Sequence, residues 1–569
     1  MALIGIDLGT TNSLAAAFVD GESVLIPNRF GEFLTPSVVH VDSQNQVTVG
    51  KLAKERLISQ PERTASLFKR LMGTDATVKL GRRKFTPAEL SSLVIRQLCA
   101  DAEAFLGEPV EEAVVSVPAY FDVAQRAATK QAGALAGVRV ERLVNEPSAA
   151  ALSVHEQGVD EAFVVFDFGG GTLDVSVVDC FDNVVGISAV SGDNRLGGSD
   201  FDRIIASLLC RENGASFDEL DRCAQESVLR TAERAKRALQ VSDVAEVRSP
   251  LPQLPRPATL TNALLFKLAD GLFDRMKKPI KQAVYDSDIP SEDISKVVLV
   301  GGSCHMPIVR SYLAELLNVG VTDDGDCDVA VARGLGAYVG IKQRASEVRD
   351  IVLTDICPFS LSTAVSNPDP PYYELASVLI PRNTILPSSA TNRYSATVPG
   401  QKGIRIAVYQ GEGVYAKDNA KLTEFEVKIP VNRKECEAME LTYTYDINAI
   451  LAVEAKVLST GKVTRLVYAG DGWSADKRAV ARIDSVKLAV ASDSRTLDHD
   501  CLVERALRMA AESDEETRDY LVGLLAQYER VARSNSARIF SQKTREFGEI
   551  LDLIDSMKES DGIFWKWEE

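Results

Sequence analysis

The pattern that most restricts this chain is one it carries twice. Residues Ile4–Gly5–Ile6–Asp7–Leu8–Gly9–Thr10–Thr11–Asn12 run from an apolar strand through Asp into a glycine turn and threonines, and a second apolar run, Leu14–Phe18, follows. The echo is Val164–Val165–Phe166–Asp167–Phe168–Gly169–Gly170–Gly171–Thr172–Leu173–Asp174, followed by Val175–Ser176–Val177–Val178. Each copy predicts a hairpin whose turn can offer backbone N–H groups to phosphate oxygens, because glycine lets the main chain approach closely. The hydroxyls of Thr10, Thr11 and Thr172 can donate to the same oxygens, and the aspartates at the strand ends suit Mg2+, directly or through its waters. One such turn is ordinary hairpin chemistry, since Gly, Asp and Thr favour turns. Two in the same strand–turn–strand context predict a duplicated clamp on one polyphosphate.

Composition agrees. With 569 residues, 45% hydrophobic and 25% charged, the chain can bury several cores, which excludes a mostly disordered protein. A net charge of −17 is a poor footprint for gripping a polyanionic backbone, so nucleic-acid binding is not expected. A phosphate pocket built from backbone N–H groups needs no net positive charge. Nine cysteines lie singly between Cys99 and Cys501, with four histidines in the whole chain, and predict buried thiols in a reducing compartment rather than a zinc site. Met1–Ile6 has no basic stretch and meets Asp7 at once, so no signal peptide is expected. No apolar run reaches the ~18 residues that would span a membrane. The expectation is a soluble, cytoplasmic monomer with no membrane contact.

Along the chain, apolar β-type runs alternate with helical patterns up to about residue 340. Val114–Val117 precedes a helical stretch Val123–Ala136, and Val297–Val300 precedes another near Met306, which reads as α/β with buried central strands. Residues 346–355 break that rhythm as a charged connector with a short apolar centre. From 356 to 473, Thr, Val, Ile and Tyr dominate, and Ile404–Val408 and Phe425–Ile429 alternate with the period of half-buried strands. From 474 to 569 the chain turns helical, with Leu521, Leu524, Leu525 and Tyr528 on one stripe and an aromatic tail, Phe564–Trp567, that carries no assigned role.

A third element, Leu299–Val300–Gly301–Gly302–Ser303, is a strand ending in glycines before a helix, a context that suits a ribose or adenine against the backbone. A Walker-type loop is absent. Taken together, Ile4–Ser13, Ser116–Phe121, Asn145–Leu152, Asp167–Asp174, Gly192–Asp202 and Leu299–Pro307 resemble the heat-shock protein 70 (DnaK-type) chaperone family, collinearly from Ile4 to about Tyr468. Ala65–Gly73 and Leu353–Pro358 look like its short HscC-type branch.

The resemblance implies an α/β, actin-like ATPase domain of two lobes (1–345), a linker (346–355), a β-sandwich peptide-binding domain (356–473) and a short lid-like helical subdomain (474–569). It implies ATP/ADP and Mg2+, with K+ as a further candidate. Gly9, Thr10, Thr11 and Asn12 would bind phosphate from one lobe, and Gly169, Gly170, Gly171 and Thr172 from the other, with Gly197 and Gly198 beside them. Asp7 and Asp167 would organise Mg2+ through water. Lys69 matches the catalytic lysine, whose cation stabilises the phosphoryl-transfer transition state; Glu146 and Thr172 match positions that sense the γ-phosphate and its water. Glu233, Lys236, Arg237, Gly301, Gly302, Ser303, His305 and Asp328 would form the adenosine side. Pro118 and Arg126 fit the switch that reports nucleotide state, and Asp350, Leu353 and Asp355 the linker, with Arg142 and Asp355 receiving a J-domain co-chaperone. Tyr394, Thr397, Ile404 and Ile406 would line the peptide groove for extended hydrophobic clients. A nucleotide-exchange factor is a further candidate partner.

The expected function is therefore an ATP-dependent chaperone whose ATPase cycle controls peptide binding. The alternatives are a small-molecule kinase of the actin superfamily and a nucleotide-gated regulator of one dedicated client. Several residues depart from the family pattern. Thr354 stands where a leucine is usual, Gln240 where a serine is, Ile404 where a valine is, and Thr397 where an alanine is. His305 replaces an arginine that stacks on adenine, and neutral imidazole loses the cation–π part of that contact. ATP is accordingly expected to bind more weakly than in typical relatives; calorimetry on His305→Arg should show a lower dissociation constant, and an unchanged one removes the idea.

Overall fold

The computed structural model describes residues 2–156, 159–181, 183–322, 327–367, 373–467, 477–488, 494–513, 515–532 and 537–560. The first repeated motif forms the hairpin Ala2–Asp7 and Asn12–Val19, at the centre of a sheet ordered Arg139–Asn145, Val110–Val117, Ala2–Asp7, Asn12–Val19, Glu22–Ile26. The first two neighbouring pairs are parallel and the last two antiparallel. Helices α1 (Lys51–Ser59), α2 (Pro87–Leu106), α3 (Val123–Ala136) and α4 (Glu146–Val154) complete this lobe. The expected helix at Val123–Ala136 starts where Asp122 and Gln125 form a reciprocal cap and stops at Gly137, in the left-handed conformation at φ 86°.

The second motif repeats the plan. Its hairpin, Glu161–Phe168 and Leu173–Phe181, sits in a sheet ordered Val321–Thr322, Ile294–Val300, Glu161–Phe168, Leu173–Phe181, Val184–Asp193, Val352–Thr354. The pair inside the hairpin is antiparallel and the Glu161–Phe168/Ile294–Val300 pair parallel, as in the first lobe. Helices α5 (Gly198–Glu212), α6 (Arg222–Ala238), α7 (Asn262–Leu268), α8 (Asp270–Asp286) and α9 (Pro307–Leu317) belong to this second lobe. Helix α10 (Ala330–Lys342) then returns across α4. A Cβ on Gly334 would lie 1.6 Å from the Ala149 carbonyl oxygen, so the two backbones cross in contact. Helices α4 and α10 share an apolar core with the second sheet, and Ile351 and Ile356 are buried in it.

The sixth strand of the second sheet is the connector itself. Val352–Thr354 pairs in parallel with Val184–Gly186, and Asp355 is buried, so the segment read from sequence as a linker is here an ordered edge strand. Beyond it lie two four-stranded antiparallel sheets, Leu375–Ile380/Leu361–Val365/Gly403–Gln410/Ala420–Lys428 and Ser388–Ser395/Ala438–Tyr445/Leu451–Val457/Val463–Val467, packed over one core.

The helical region is split between two places. Helix α11 (Lys477–Asp484) packs its Ala479 and Ile483 into the core of the first lobe, and Lys487–Leu488 adds a strand to Gln46–Val49 of that lobe. Helices α12 (Ser494–Ala511), α13 (Glu515–Ala532) and α14 (Ala537–Ser560) form a separate apolar cluster. Leu521 and Tyr528 are buried there, with Leu524 and Leu525 packed against them, as the stripe predicted. The tail Phe564–Trp567 lies outside the described residues. Among the described residues no helix is long and apolar enough to cross a membrane.

Candidate nucleotide site

The two glycine turns face each other across a cleft of about 570 Å³. Their approach leaves no room for side chains. A Cβ on Gly170 would fall 1.8 Å from Thr11 Oγ1, and one on Gly171 2.5 Å from Thr10 Cγ2. Gly9, Thr10, Thr11 and Asn12 line one wall, and Gly169, Gly170 and Thr172 the other, while Gly171 and Gly197 are buried behind the lining. The start of α5 abuts the second turn, with the Gly198 N–H donating to the Gly169 carbonyl at 3.0 Å. The Ser199 N–H likewise donates to the Gly170 carbonyl at 3.0 Å, so the first amides of α5 brace the second turn, and the two glycine turns line the place that suits a polyanion.

Beneath the turns sits an excess of buried acid. Lys69 Nζ donates to Glu146 Oε1 at 2.9 Å, and both side chains are buried. Burial, together with the Glu146 charge, pushes Asp7 up to about 6 against the pull of Lys69 and a hydrogen bond from Ser116. Burial and the neighbouring carboxylates of Glu146, Asp174 and Asp7 hold Asp167 well above the usual range. Asp174 rises to about 7 for the same reasons, burial first and Glu146 next, and its Oδ2 has no hydrogen-bond partner. One lysine ammonium cannot offset this many carboxylates, and the set fits a divalent cation brought in with phosphate. Among the described residues no three His, Cys, Asp or Glu groups converge to ligate a bare metal, so such an ion would be held through water and phosphate oxygens.

The other end of the cleft is built from α6 and the turn after Ile294–Val300. Lys236 is buried, 2.7 Å from Asp202 Oδ1, and donates to the Gly198 carbonyl at 2.9 Å. Ser303 Oγ donates to the Gly169 carbonyl at 2.8 Å, tying this turn to the phosphate loop. Gly301, Gly302, Glu233, Arg237 and Gln240 also line the cleft. The His305 ring is engaged on one side, its Nε2 lying 3.1 Å from Asp328 Oδ2 and 3.2 Å from Cys327 Sγ.

Three contributors went unassigned at the level of sequence. Asp174 closes the second motif and faces the same acids. Arg70, beside Lys69, donates from Nε to the Gly171 carbonyl at 3.0 Å and pairs with Asp200 at 2.9 Å, joining the first lobe to the second phosphate turn. Ser116 donates to Asp7 Oδ1 at 2.7 Å. Motif position marks Asp174 in retrospect; the other two depend on folding.

The turn containing Pro118 leads away from the cleft. The Tyr120 N–H donates to Asp174 Oδ1 at 2.8 Å, and the Phe121 ring lies 5.5 Å from the Lys69 ammonium. Arg126 is buried and donates to the Ala119 and Phe121 carbonyls and to Asn145 Oδ1. On its far side the same turn meets the β unit: the Tyr120 and Phe359 rings are 4.3 Å apart, and the Val123 N–H reaches Gln410 Oε1 at 3.4 Å. Asp355 pairs with Arg142 at 3.6 Å and accepts from Ser148 Oγ, while Arg142 also donates to the Ile447 carbonyl. Leu353 packs against the shared core, whereas Asp350 is exposed.

The four peptide-groove candidates do not share one surface. Ile406 is 2% exposed, on the face of its strand that turns into the sandwich core. Ile404 and Tyr394 are half-buried against the same core, with the Tyr394 hydroxyl 3.0 Å from Ser377 Oγ, and Thr397 is exposed.

Comparison with known proteins fits this geometry. The model of the Hsp70 protein family matches residues 3–80 and 74–546. The chain belongs to the Hsp70 family. A relative, the chaperone protein DnaK of Thermosipho africanus (strain TCF52B), is 37% identical over 488 residues, covering 82% of this chain and 80% of the relative. The family match extends to residue 546, past Tyr468, where the likeness was expected to stop, so α12 and α13 belong to the pattern as well. Membership makes the chain an ATP-dependent molecular chaperone, an ATPase that binds unfolded client segments. Neither the kinase nor the single-client regulator finds support in these matches.

Removing the Lys69 ammonium leaves Glu146 buried without this partner and takes a cation from the acid cluster. Lys69→Ala should slow single-turnover ATP hydrolysis by about 10²–10³-fold while nucleotide binding, followed by calorimetry, changes far less. Hydrolysis within a factor of about 3 of the native rate would remove Lys69 from the chemistry.

Proposed function

We propose that the cleft binds Mg–ATP and that its hydrolysis is reported to the β unit through the connector strand. The observation that carries this reading is topological: Val352–Thr354 is the edge strand of the sheet whose central hairpin bears the second phosphate turn, two strands away. Thr10–Asn12 and Gly169–Thr172 would grip the phosphates, and Asp7 and Asp167 would hold Mg2+ through water. The ion would supply positive charge against that developing on the transferred phosphoryl group. Lys69, held by Glu146, stabilises the same charge and orients the attacking water. Glu233, Lys236, Arg237, Ser303, His305 and Asp328 enclose the adenosine.

Closure of the lobes on ATP fixes Asp174 and Lys69, which touch the Pro118–Asp122 turn from the side of the cleft. That turn and Arg126 in turn support Gln410 and Phe359 of the β unit, while Arg142 and Ser148 hold Asp355 at the end of the connector. After hydrolysis these contacts loosen, the connector leaves the sheet edge and the β unit closes on its client. Tyr394, Thr397 and Ile404 remain the candidates for peptide contact. A J-domain co-chaperone acting at Arg142 and Asp355 would compete with the Ile447 loop for the Arg142 guanidinium. Domain limits of 1–345, 346–355, 356–473 and 474–569, membership of the short HscC-type branch and cytoplasmic action as a monomer complete the reading.

Coupling of this kind is reciprocal, so client binding must bias the cleft as the cleft biases the client site. Single-turnover ATP hydrolysis, with and without an unfolded peptide, tests it. Stimulation by peptide is expected; an identical rate at saturating peptide contradicts the proposed route.

A further inference from the structure

The mouth of the cleft is formed by α1 of the first lobe and α6 of the second. These helices meet directly through Lys54–Glu233 at 3.6 Å and Arg230–Glu55 at 3.2 Å. A third helix and the turn that follows it reach both. Helix α12 packs along α1, and its Arg508, only 1% exposed, is the largest fully buried side chain among the described residues. Arg508 Nε donates to Glu55 Oε2 at 2.6 Å, the same oxygen that Arg230 of α6 reaches. Its Nη1 donates to Glu512 Oε2 at 2.5 Å, and Glu512 Oε1 accepts from Ser227 Oγ of α6 at 3.2 Å. Asp555 of α14 lies 3.6 Å from Nη2. Further along, Arg56 of α1 pairs with Glu504 of α12 at 2.6 Å.

The contacts therefore form a closed loop: α1 to Arg508, Arg508 to Glu512, Glu512 to α6, and α6 back to α1. A guanidinium removed from water is tolerable only while its partners surround it, and losing one of them leaves the rest buried and uncompensated. Moving α6 away from α1 pulls Glu512 and Arg508 in opposite directions. The mouth cannot widen without breaking this network or lifting α12.

We propose that α12 is a strap over the nucleotide cleft, in which Arg508 and Glu512 are positioning residues that hold α6 against α1, so that bound nucleotide leaves only after the C-terminal helices lift. This rests on the reading of the cleft as the nucleotide site. By reciprocity, a nucleotide that draws the lobes together also favours docking of α12, and events that displace α12 speed nucleotide exchange.

The test uses the full chain, loaded with a fluorescent non-hydrolysable ATP analogue in the presence of Mg2+ and chased with excess unlabelled nucleotide in a stopped-flow instrument. Arg508→Ala should release the label roughly tenfold faster or more. Ser227→Ala, which leaves the α1–α12 contact intact and removes the Glu512–α6 hydrogen bond, should accelerate it several-fold, as should Glu512→Gln, the variant that serves where Arg508→Ala fails to fold. Arg508→Lys should fall between Arg508→Ala and the native chain. A purely structural role for Arg508 would lower the melting temperature and leave the release rate unmoved. Native release rates in both Ser227→Ala and Glu512→Gln overturn the strap while the nucleotide reading stands. A native chain that retains no label overturns that reading, and the strap with it.

Discussion

Three buried carboxylates, from Glu146, Asp167 and Asp174, and the half-buried one of Asp7 surround the ammonium of Lys69, and the closure of the lobes follows from that imbalance. Alone, the cluster repels itself; burial and mutual repulsion keep Asp7, Asp167 and Asp174 above their ordinary range. A metal-bound polyphosphate between the glycine turns changes the sign of the problem. Its cation would offset the acids, while its oxygens would accept from the turn amides. The two lobes thus have a reason to close when the nucleotide arrives. Gly170 and Gly171 permit the close approach, because any side chain there would collide with Thr10 and Thr11.

What distinguishes the arrangement from a bare ATPase cleft is the number of structures resting on its closure. The connector strand joins the second sheet, its flanking Ile351 and Ile356 fill the core beneath α4 and α10, and Asp355 is held by Arg142 and Ser148. The Pro118–Asp122 turn touches Asp174 on one side and the β unit on the other. Helix α12 spans α1 and α6 at the mouth. Each contact is modest and lies within about 1–3 kcal/mol. Their shared dependence on one lobe geometry is what can turn a local charge change into a distant one.

The hairpins were legible in the sequence because Asp, Gly and Thr recur at fixed offsets between apolar runs, and Val123–Ala136 because Asp122 and Gly137 mark both its ends. The duplicated clamp and the division into α/β, β and helical parts followed from the same local signals. The remainder depends on contacts that local pattern does not encode. Val352–Thr354 is too short and too charged at its flanks to announce itself as a strand; it becomes one because Val184–Gly186 offers an unpaired edge. Ile406 lies on an alternating strand, and alternation says that one face is buried without saying which. The Arg508–Glu55 pair joins residues 453 positions apart, and nothing at either position marks the other. Asp174 was visible as the last letter of the second motif, but its role depends on Glu146 arriving from another strand end.

Coupling between the cleft and the β unit requires the connector strand to respond to the nucleotide. Amide hydrogen exchange across residues 350–356, followed with Mg–ATP and then with Mg–ADP, measures this directly. Slow exchange at Val352, Leu353 and Thr354 in the ATP state, with protection lost after hydrolysis, is the predicted result. Equal exchange in both states would mean that the sheet edge does not sense the cleft, and would contradict the account.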